Sequence, residues 1–297
     1  MIVITAPTGN IGHQVLENVL ADDRPVRVIV RDPAKLPADV RDRAEVVQGS
    51  HGDPDVAARA FKGADALFWL LPNNLGAPSV EASYLDFTRP AAAAMREQGV
   101  RRVVGVSALG RGTAYADKAG FVTASLAMDD MIADTGVDFR ALAMPGFMDN
   151  LLRQVRGIKE QGAFYDTLAP DRRLPTVATR DIAAVAARLL LDDTWSGQQE
   201  VPVLGPEDLS NDEMAAIASE VLETPVRYRQ ITGEALVERL AGRGVSGPMA
   251  HGMVDMMAAK DNGLDLGVTR TPQHAVETPT TFRRWCEYAL KPAVRAA

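Results

Sequence analysis

The chain is expected to fold as an α/β protein, a doubly wound parallel sheet followed by a smaller, mostly helical C-terminal part. Three observations predict this. Short β-type runs alternate with helical patterns through the first half. Several of those runs are apolar at every position, which suits strands covered on both faces. A glycine turn, Thr8 Gly9 Asn10 Ile11 Gly12, joins the first run to the first helical pattern.

The elements follow in order. Ile2 Val3 Ile4 opens the chain as a strand, and Val15, Leu16, Val19 and Leu20 make the apolar face of the helix after the turn. Residues 26–30 form a second strand, 45–48 a short third, 55–61 a helix and 66–71 a continuously apolar fourth strand. Residues 80–98 are helical and close on Gly99, where a residue without Cβ can take the left-handed conformation. A fifth strand spans 102–107, a helix 120–135 closes on Gly136, and a sixth strand spans 138–143. Six strands alternating with helices within about 145 residues predict the doubly wound sheet. Right-handed crossovers would then place a ligand crevice at the carboxyl ends of the strands, where their order reverses.

The second half changes character. Ile182, Val185, Ala186, Leu189 and Leu190 share one helical face that must pack on something large. Residues 200–204 read as a further strand, and Ser210 Asn211 Asp212 Glu213 is a capping box opening a helix through Leu222. The remainder is mostly helix, with breaks at Pro225, Gly242 Arg243 Gly244, Pro248, Gly263 and Pro272. The expected division is residues 1–152 as the first domain, with 176–205 returning to it, and 153–175 plus 206–297 as a smaller second domain.

With 297 residues the chain is long enough for a substantial core. Its 46% hydrophobic and 24% charged residues are ordinary globular composition, and a net charge of −7 argues against a nucleic-acid surface as the main function. No apolar run approaches the roughly 18 residues of a membrane span, and no signal segment precedes the first strand, so a cytoplasmic protein without a membrane partner is expected. The single cysteine, Cys286, reads as a packing residue in a helix. Four histidines, His13, His51, His251 and His274, show no metal-ligand spacing, so no metal is expected. Gly105 Val106 Ser107 Ala108 Leu109 lacks the second glycine of a nucleophile elbow, which argues against a hydrolase.

The glycine turn carries the chemistry. A backbone able to approach a pyrophosphate closely, followed by unpaired helix-start amides and the positive end of the helix dipole, makes a dinucleotide-phosphate site. Gly9 and Gly12 meet that need, although Ala6 occupies the usual place of the first glycine, so the spacing alone is a weak match. Arg31 ends the second strand, where the adenosine ribose is read. A guanidinium there binds a 2′-phosphate through two charge-assisted hydrogen bonds, so NADP (NADPH) is favoured over NAD. Were Asp32 to face the ribose instead, NAD would be favoured; Lys35 tilts the balance back toward the phosphate.

Several segments together resemble the NmrA-like family of atypical short-chain dehydrogenases/reductases, within the NAD(P)-binding Rossmann superfamily. They are the glycine turn, Val30 Arg31 Asp32 Pro33 Ala34 Lys35, Gly63 Ala64 Asp65 Ala66, Val106 Ser107 Ala108 Leu109 Gly110 and Met144 Pro145 Gly146 Phe147 Met148 Asp149 Asn150 Leu151. Thr179 Arg180 Asp181 Ile182 Ala183, Leu204 Gly205 Pro206 Glu207 and Thr278 Pro279 Thr280 Thr281 Phe282 complete the match over nearly the whole chain. The resemblance implies that Thr8, Gly9, Asn10 and Ile11 hold the pyrophosphate, and that Arg31 and Lys35 hold the 2′-phosphate. It also implies that Leu71, Pro72 and Asn73 border the nicotinamide ribose, while residues 107–109, starting at Ser107, and Pro145 to Phe147 flank the nicotinamide. Ser50 stands where relatives often carry an aspartate.

Ordinary short-chain dehydrogenases use a tyrosine and a lysine four residues apart for proton transfer. Here Tyr115 and Lys118 are three apart, in an expected loop where both side chains can simply be solvated. The position where relatives often place lysine or histidine falls near Ser125, a poor acid. Tyr115, Ser125 and Lys118 are nonetheless the candidate catalytic residues. Without a strong acid, the chemistry that fits is hydride transfer from NADPH to a small hydrophobic carbonyl, quinone or other conjugated acceptor, the product anion being stable already. Met128, Met131, Met144, Met148, Met249, Met253, Met256 and Met257 are either core packing or an adaptable wall for such a ligand. The alternative is a non-catalytic NADP(H)-binding sensor that regulates a protein partner. The expected state is a monomer or a homodimer.

Overall fold

The computed structural model of the protein describes residues 1–72 and 74–297. The six expected strands are β1 (Ile2–Ile4), β2 (Val26–Val30), β3 (Ala44–Gln48), β4 (Ala66–Trp69), β5 (Arg102–Ala108) and β6 (Asp138–Met144). The chain then forms β7 (Gly146–Phe147), β8 (Ala163–Asp166) and β9 (Leu174–Val177), continues with β10 (Gln198–Pro202) and finishes its strands with β11 (Asp208–Leu209) and β12 (Arg227–Gln230). Seven strands make one sheet in the order β10, β6, β5, β4, β1, β2, β3, and every pairing in it is parallel. The order reverses between β1 and β4, which is where a doubly wound sheet opens its crevice.

Alternation along each strand divides the core. Ile2, Ile4, Val28, Val30 and Phe68 face the helices Asn10–Leu20 and Thr179–Leu191, whereas Val3, Ile29, Leu67 and Trp69 face the helices Pro54–Phe61, Phe87–Glu97 and Phe121–Ala133. That double coverage is why these runs carry no polar alternation. The face shared by Ile182, Val185, Ala186, Leu189 and Leu190 packs against the first helix, on the same side of the sheet. β4 stops at Trp69, two residues short of expectation, because the Leu70 amide donates to Thr5 Oγ1 at 2.9 Å while that hydroxyl donates to the Phe68 carbonyl at 2.9 Å. A buried threonine thus ends the ladder where the crevice begins.

The expected 80–98 helix forms with one widened turn, Ala82–Asp86, just before Pro90. Proline has no amide to donate and crowds the carbonyl four residues back, so the turn ahead of it opens. The Ser210 capping box forms as expected, with Ser210 Oγ accepting from Glu213 N and Glu213 accepting from Ser210 N. Pro248 and Pro272 start helices rather than break them, as suits a residue whose missing amide is one of the unpaired ones in a first turn. The strand β12, paired with β8, lies in a stretch expected to be helical.

A third core gathers Met148, Leu151, Phe164, Val221, Tyr228, Phe282, Trp285 and Leu290, with Cys286 buried inside it and its thiol pushed up to about 12 by burial. The helix Gly247–Asp261 crosses the start of Phe121–Ala133 at very short range. A Cβ on Gly120 would lie 2.0 Å from the Gly252 carbonyl, and Gly120 has φ of +51°, so only glycine satisfies both demands. No described helix is long and apolar enough to cross a membrane.

Ile182 is fully buried in the seam between the first helix and the Thr179–Leu191 helix. Ile182→Ala should lower the unfolding free energy by about 2–5 kcal/mol, read as a lower denaturant midpoint at unchanged m. A loss below about 1 kcal/mol would mean that this helix does not share the sheet's core.

Candidate active site

The turn after β1 brings the backbone unusually close to itself. A Cβ on Gly12 would lie 2.0 Å from the Ala6 carbonyl oxygen, so the helix can start here only with glycine at that position. Ala6 takes φ of +48°, the left-handed region normally left to glycine, at a cost of ~1–2 kcal/mol. No side chain caps the helix, and the amides of Asn10, Ile11 and Gly12 have no acceptor among the described residues. Three unpaired donors beside a sterically open backbone fit a pyrophosphate. Asn10 also reaches toward Asp149 at 3.3 Å, and Asp149 in turn accepts from Thr179 N at 3.0 Å and Thr179 Oγ1 at 2.9 Å. The motif around Asp149 therefore ties the turn to a second helix start.

At the end of β2, Arg31 is exposed and forms no ion pair among the described residues. Asp32 is otherwise engaged: its carboxylate accepts from Ala34 N at 3.1 Å and caps the short turn Pro33–Lys35. That leaves Arg31 and the exposed Lys35 as the cationic groups at this corner. Ser50 precedes His51, which is buried between Trp69 and Phe87 with both rings edge-on at 5.0 Å. Burial and the nearby Arg31 charge push His51 down to about 4, against the pull of its contact with the Leu70 carbonyl at 3.1 Å, so its ring stays neutral.

A cavity of about 660 Å³ opens at the carboxyl ends of β4, β5 and β6. Leu70, Leu71 and Pro72 form one side, Val106, Ser107 and Ala108 the floor, and Met144, Pro145, Gly146 and Phe147 the other side. Asn73 lies outside the described residues. Ser125 reaches the same space from the Phe121–Ala133 helix. The methionines divide: Met128, Met144, Met253, Met256 and Met257 line the cavity, while Met148 and Met249 pack in cores.

Tyr115 and Lys118 are not brought to this cavity. Tyr115 is 39% exposed and Lys118 is exposed, on a loop that leaves β5 through Gly110 and Gly112, both at positive φ, and is pinned outward where Thr123 Oγ1 donates to the Ala116 carbonyl at 2.6 Å. In their place stands a group the sequence reading passed over. Asp129, one helical turn beyond Ser125, is 2% exposed and accepts a hydrogen bond from Ser107 Oγ. Its second oxygen, Oδ1, has no partner among the described residues, and Arg111 lies behind it with Nη2 at 4.0 Å from Oδ2. Burial raises the Asp129 carboxyl to about 7, with Ser107 and Arg111 opposing the shift. The available signal was an acid in the middle of an otherwise apolar helix face, Val122, Leu126, Met128 and Ile132.

Tyr84, which no local sequence signal marked, also lines the cavity and is pushed up to about 12 by burial, so its phenol keeps its proton. The arginines and lysine on the outer wall, Arg153, Arg239, Arg243 and Lys260, were likewise passed over.

The family model described as NAD(P)H-binding matches residues 7–193. The chain is similar to a (4-alkanoyl-5-oxo-2,5-dihydrofuran-3-yl)methyl phosphate reductase of Streptomyces griseus, at 31% identity over 96% of each chain. It is also similar to an NAD(P)H azoreductase of Xenophilus azovorans, at 27% identity over 97% of this chain and 96% of the relative. In three dimensions it matches an NADPH-dependent quinone oxidoreductase of Escherichia coli solved with NADPH, at a TM-score of 0.79 and 22% identity, over 97% of this chain and 99% of the other.

Arg31→Ala should weaken NADPH by about 10–100-fold while changing NADH by less than about threefold, as measured by calorimetric titration of each nucleotide. Equal losses for both nucleotides would remove Arg31 from phosphate recognition.

Proposed function

We propose, from the premise that the chain belongs to the NAD(P)H-binding family and is an NADPH-dependent oxidoreductase, that it reduces a small, largely apolar acceptor whose reducible bond is conjugated, such as a quinone or an unsaturated carbonyl. The observation that carries the reading is Ser107 at the floor of a methionine-lined cavity with the buried Asp129 hydrogen-bonded behind it. Relatives named for reducing a dihydrofuranone phosphate and azo compounds support an acceptor of this kind.

The unpaired amides of Asn10, Ile11 and Gly12, with Thr8 and Gly9, would hold the pyrophosphate, and Arg31 with Lys35 the 2′-phosphate. Leu71, Pro72, Pro145 and Phe147 would enclose the nicotinamide end in an apolar wall that excludes water. When bound, the reduced nicotinamide supplies the hydride. Ser107 Oγ, which donates to Asp129 Oδ2 in the structure, turns its proton to the acceptor oxygen as negative charge develops there, and the protonated Asp129 carboxyl replaces that proton. Ser125 offers a second hydroxyl at the same wall and Tyr84 a protonated phenol. In this division of labour residues 1–152 and 176–205 serve the cofactor, and 153–175 with 206–297 shape the acceptor's side.

The test is loss of reduced-nicotinamide absorbance when protein and NADPH meet a panel of quinones and unsaturated carbonyls. Turnover with none of them would sink the reading. Because the Asp129 carboxyl loses its proton as pH rises through about 7, kcat should fall above that pH. Asp129→Asn keeps the side-chain shape but holds no transferable proton. It should lower kcat by roughly 100-fold and abolish the alkaline fall, with the Kd for NADPH unchanged. An unaltered pH profile in this variant would take Asp129 out of the proton path.

A further inference from the structure

The outer wall of the cavity is cationic in a chain that carries more acids than bases. Arg153, Arg239, Arg243 and Lys260 line it, and among the described residues Asp166 is the only carboxylate in the lining. Arg153 comes from the turn Met148–Gln154, Arg239 from the helix Gly233–Ala241, and Arg243 follows four residues later, one helical turn on.

None of these three arginines has a carboxylate within ion-pairing distance or a side-chain hydrogen bond among the described residues. Elsewhere exposed arginines do find partners: Arg156 pairs with Glu160 at 2.9 Å, Arg173 with Glu213 at 2.6 Å and Arg188 with Glu277 at 3.3 Å. The carboxylates near the wall are already committed. Asp166 accepts from Thr167 N at 2.6 Å, Asp261 accepts from Ala169 N at 2.9 Å, and Asp265 holds Lys260 at 2.5 Å in a buried pair. Burial also pushes Asp166 up to about 6, so its compensating charge weakens as pH falls toward that value.

One of these guanidiniums is held in place ahead of any ligand. Arg239 lies 4.1 Å over the Tyr165 ring, and the Tyr165 backbone is clamped by Gln154, which donates to its carbonyl and accepts from its amide, each at 2.9 Å. Stacking fixes the plane and leaves the N–H edges free for an oxyanion. The same lining carries the apolar Leu236, Leu240, Met253 and Met256.

We infer that the acceptor carries an anionic group, a phosphate monoester, which Arg153, Arg239 and Arg243 bind at the outer end of the cavity while its conjugated carbonyl lies against Ser107. The inference rests on the reductase reading for where the carbonyl sits, but the anion site stands on the arginines alone. A phosphate monoester near neutral pH bears close to two charges and three acceptor oxygens, matching unpaired guanidinium donors better than a neutral quinone does. It also gives these arginines the charge partner that the protein withholds.

Two measurements test it with the full chain. In the first, matched unsaturated carbonyls bearing a phosphate monoester, a carboxylate or a neutral hydroxyl are compared as acceptors. The phosphate compound should exceed the hydroxyl compound in kcat/KM by about tenfold or more, mainly through KM. The double variant Arg239→Gln with Arg243→Gln should erase that preference while leaving the hydroxyl compound and the Kd for NADPH unchanged. In the second, phenyl phosphate, which has no reducible acceptor, is titrated calorimetrically into NADPH-loaded protein. Saturable binding lost in the double variant supports the anion site even where no acceptor turns over, so failure of the reductase reading remains distinguishable. Absence of phenyl phosphate binding, binding unchanged in the variant, or a hydroxyl compound reduced as well as the phosphate would overturn the inference. A carboxylate compound preferred over the phosphate would overturn the assignment of a phosphate monoester.

Discussion

The contact between the Gly12 α-carbon and the Ala6 carbonyl sets the rest of the molecule in place. With room there for a hydrogen but not a methyl group, the first helix starts tight against the end of β1 and points its unpaired amides into the crevice. Ala6 accepts a left-handed backbone to make the turn. The same helix is the surface on which the Thr179–Leu191 helix packs, and Asp149 fastens the two helix starts together. Steric closeness at one turn thus governs the nucleotide corner and the covering of one whole sheet face.

The reactive end of the cavity depends on a different constraint, the burial of a carboxyl among apolar groups. Desolvation disfavours the charged form of Asp129, and neither the Ser107 hydrogen bond nor the distant Arg111 restores an ordinary carboxylate. An acid that titrates near neutrality can hold a proton where a surface aspartate would have released it. This is how a site without the tyrosine and lysine of ordinary short-chain dehydrogenases can still contain a proton source. It sits behind the serine rather than in front of it.

The outer end obeys neither constraint. Its arginines come from segments beyond the sheet, and their character arises from what the neighbouring carboxylates are already doing. The Gly120 and Gly252 crossing seats the Gly247–Asp261 helix over the cavity, so Met253, Met256 and Lys260 reach the same space as residues more than one hundred positions earlier.

Local sequence determined the elements whose signals are local. Strands buried on both faces read as unbroken apolar runs, the glycine turn marked the nucleotide corner, and Ser210 with Glu213 announced its own helix start, because each depends on residues within a few positions. The short strands β8 and β12 were not legible, since they stabilise each other across more than sixty residues. The site divided in the same way. Ser107 could be placed because it ends a strand, whereas Asp129 could be recognised only once folding had buried it against Ser107. Tyr115 and Lys118, candidates despite being three apart instead of four, lie on a loop through Gly110 and Gly112 that leaves both exposed. Sequence alone determined the sheet and its glycine turn, because backbone sterics and hydrophobic periodicity act locally. Only the tertiary structure decided the buried acid behind Ser107 and the unpaired arginines of the cavity, because desolvation and charge compensation depend on neighbours distant in the chain.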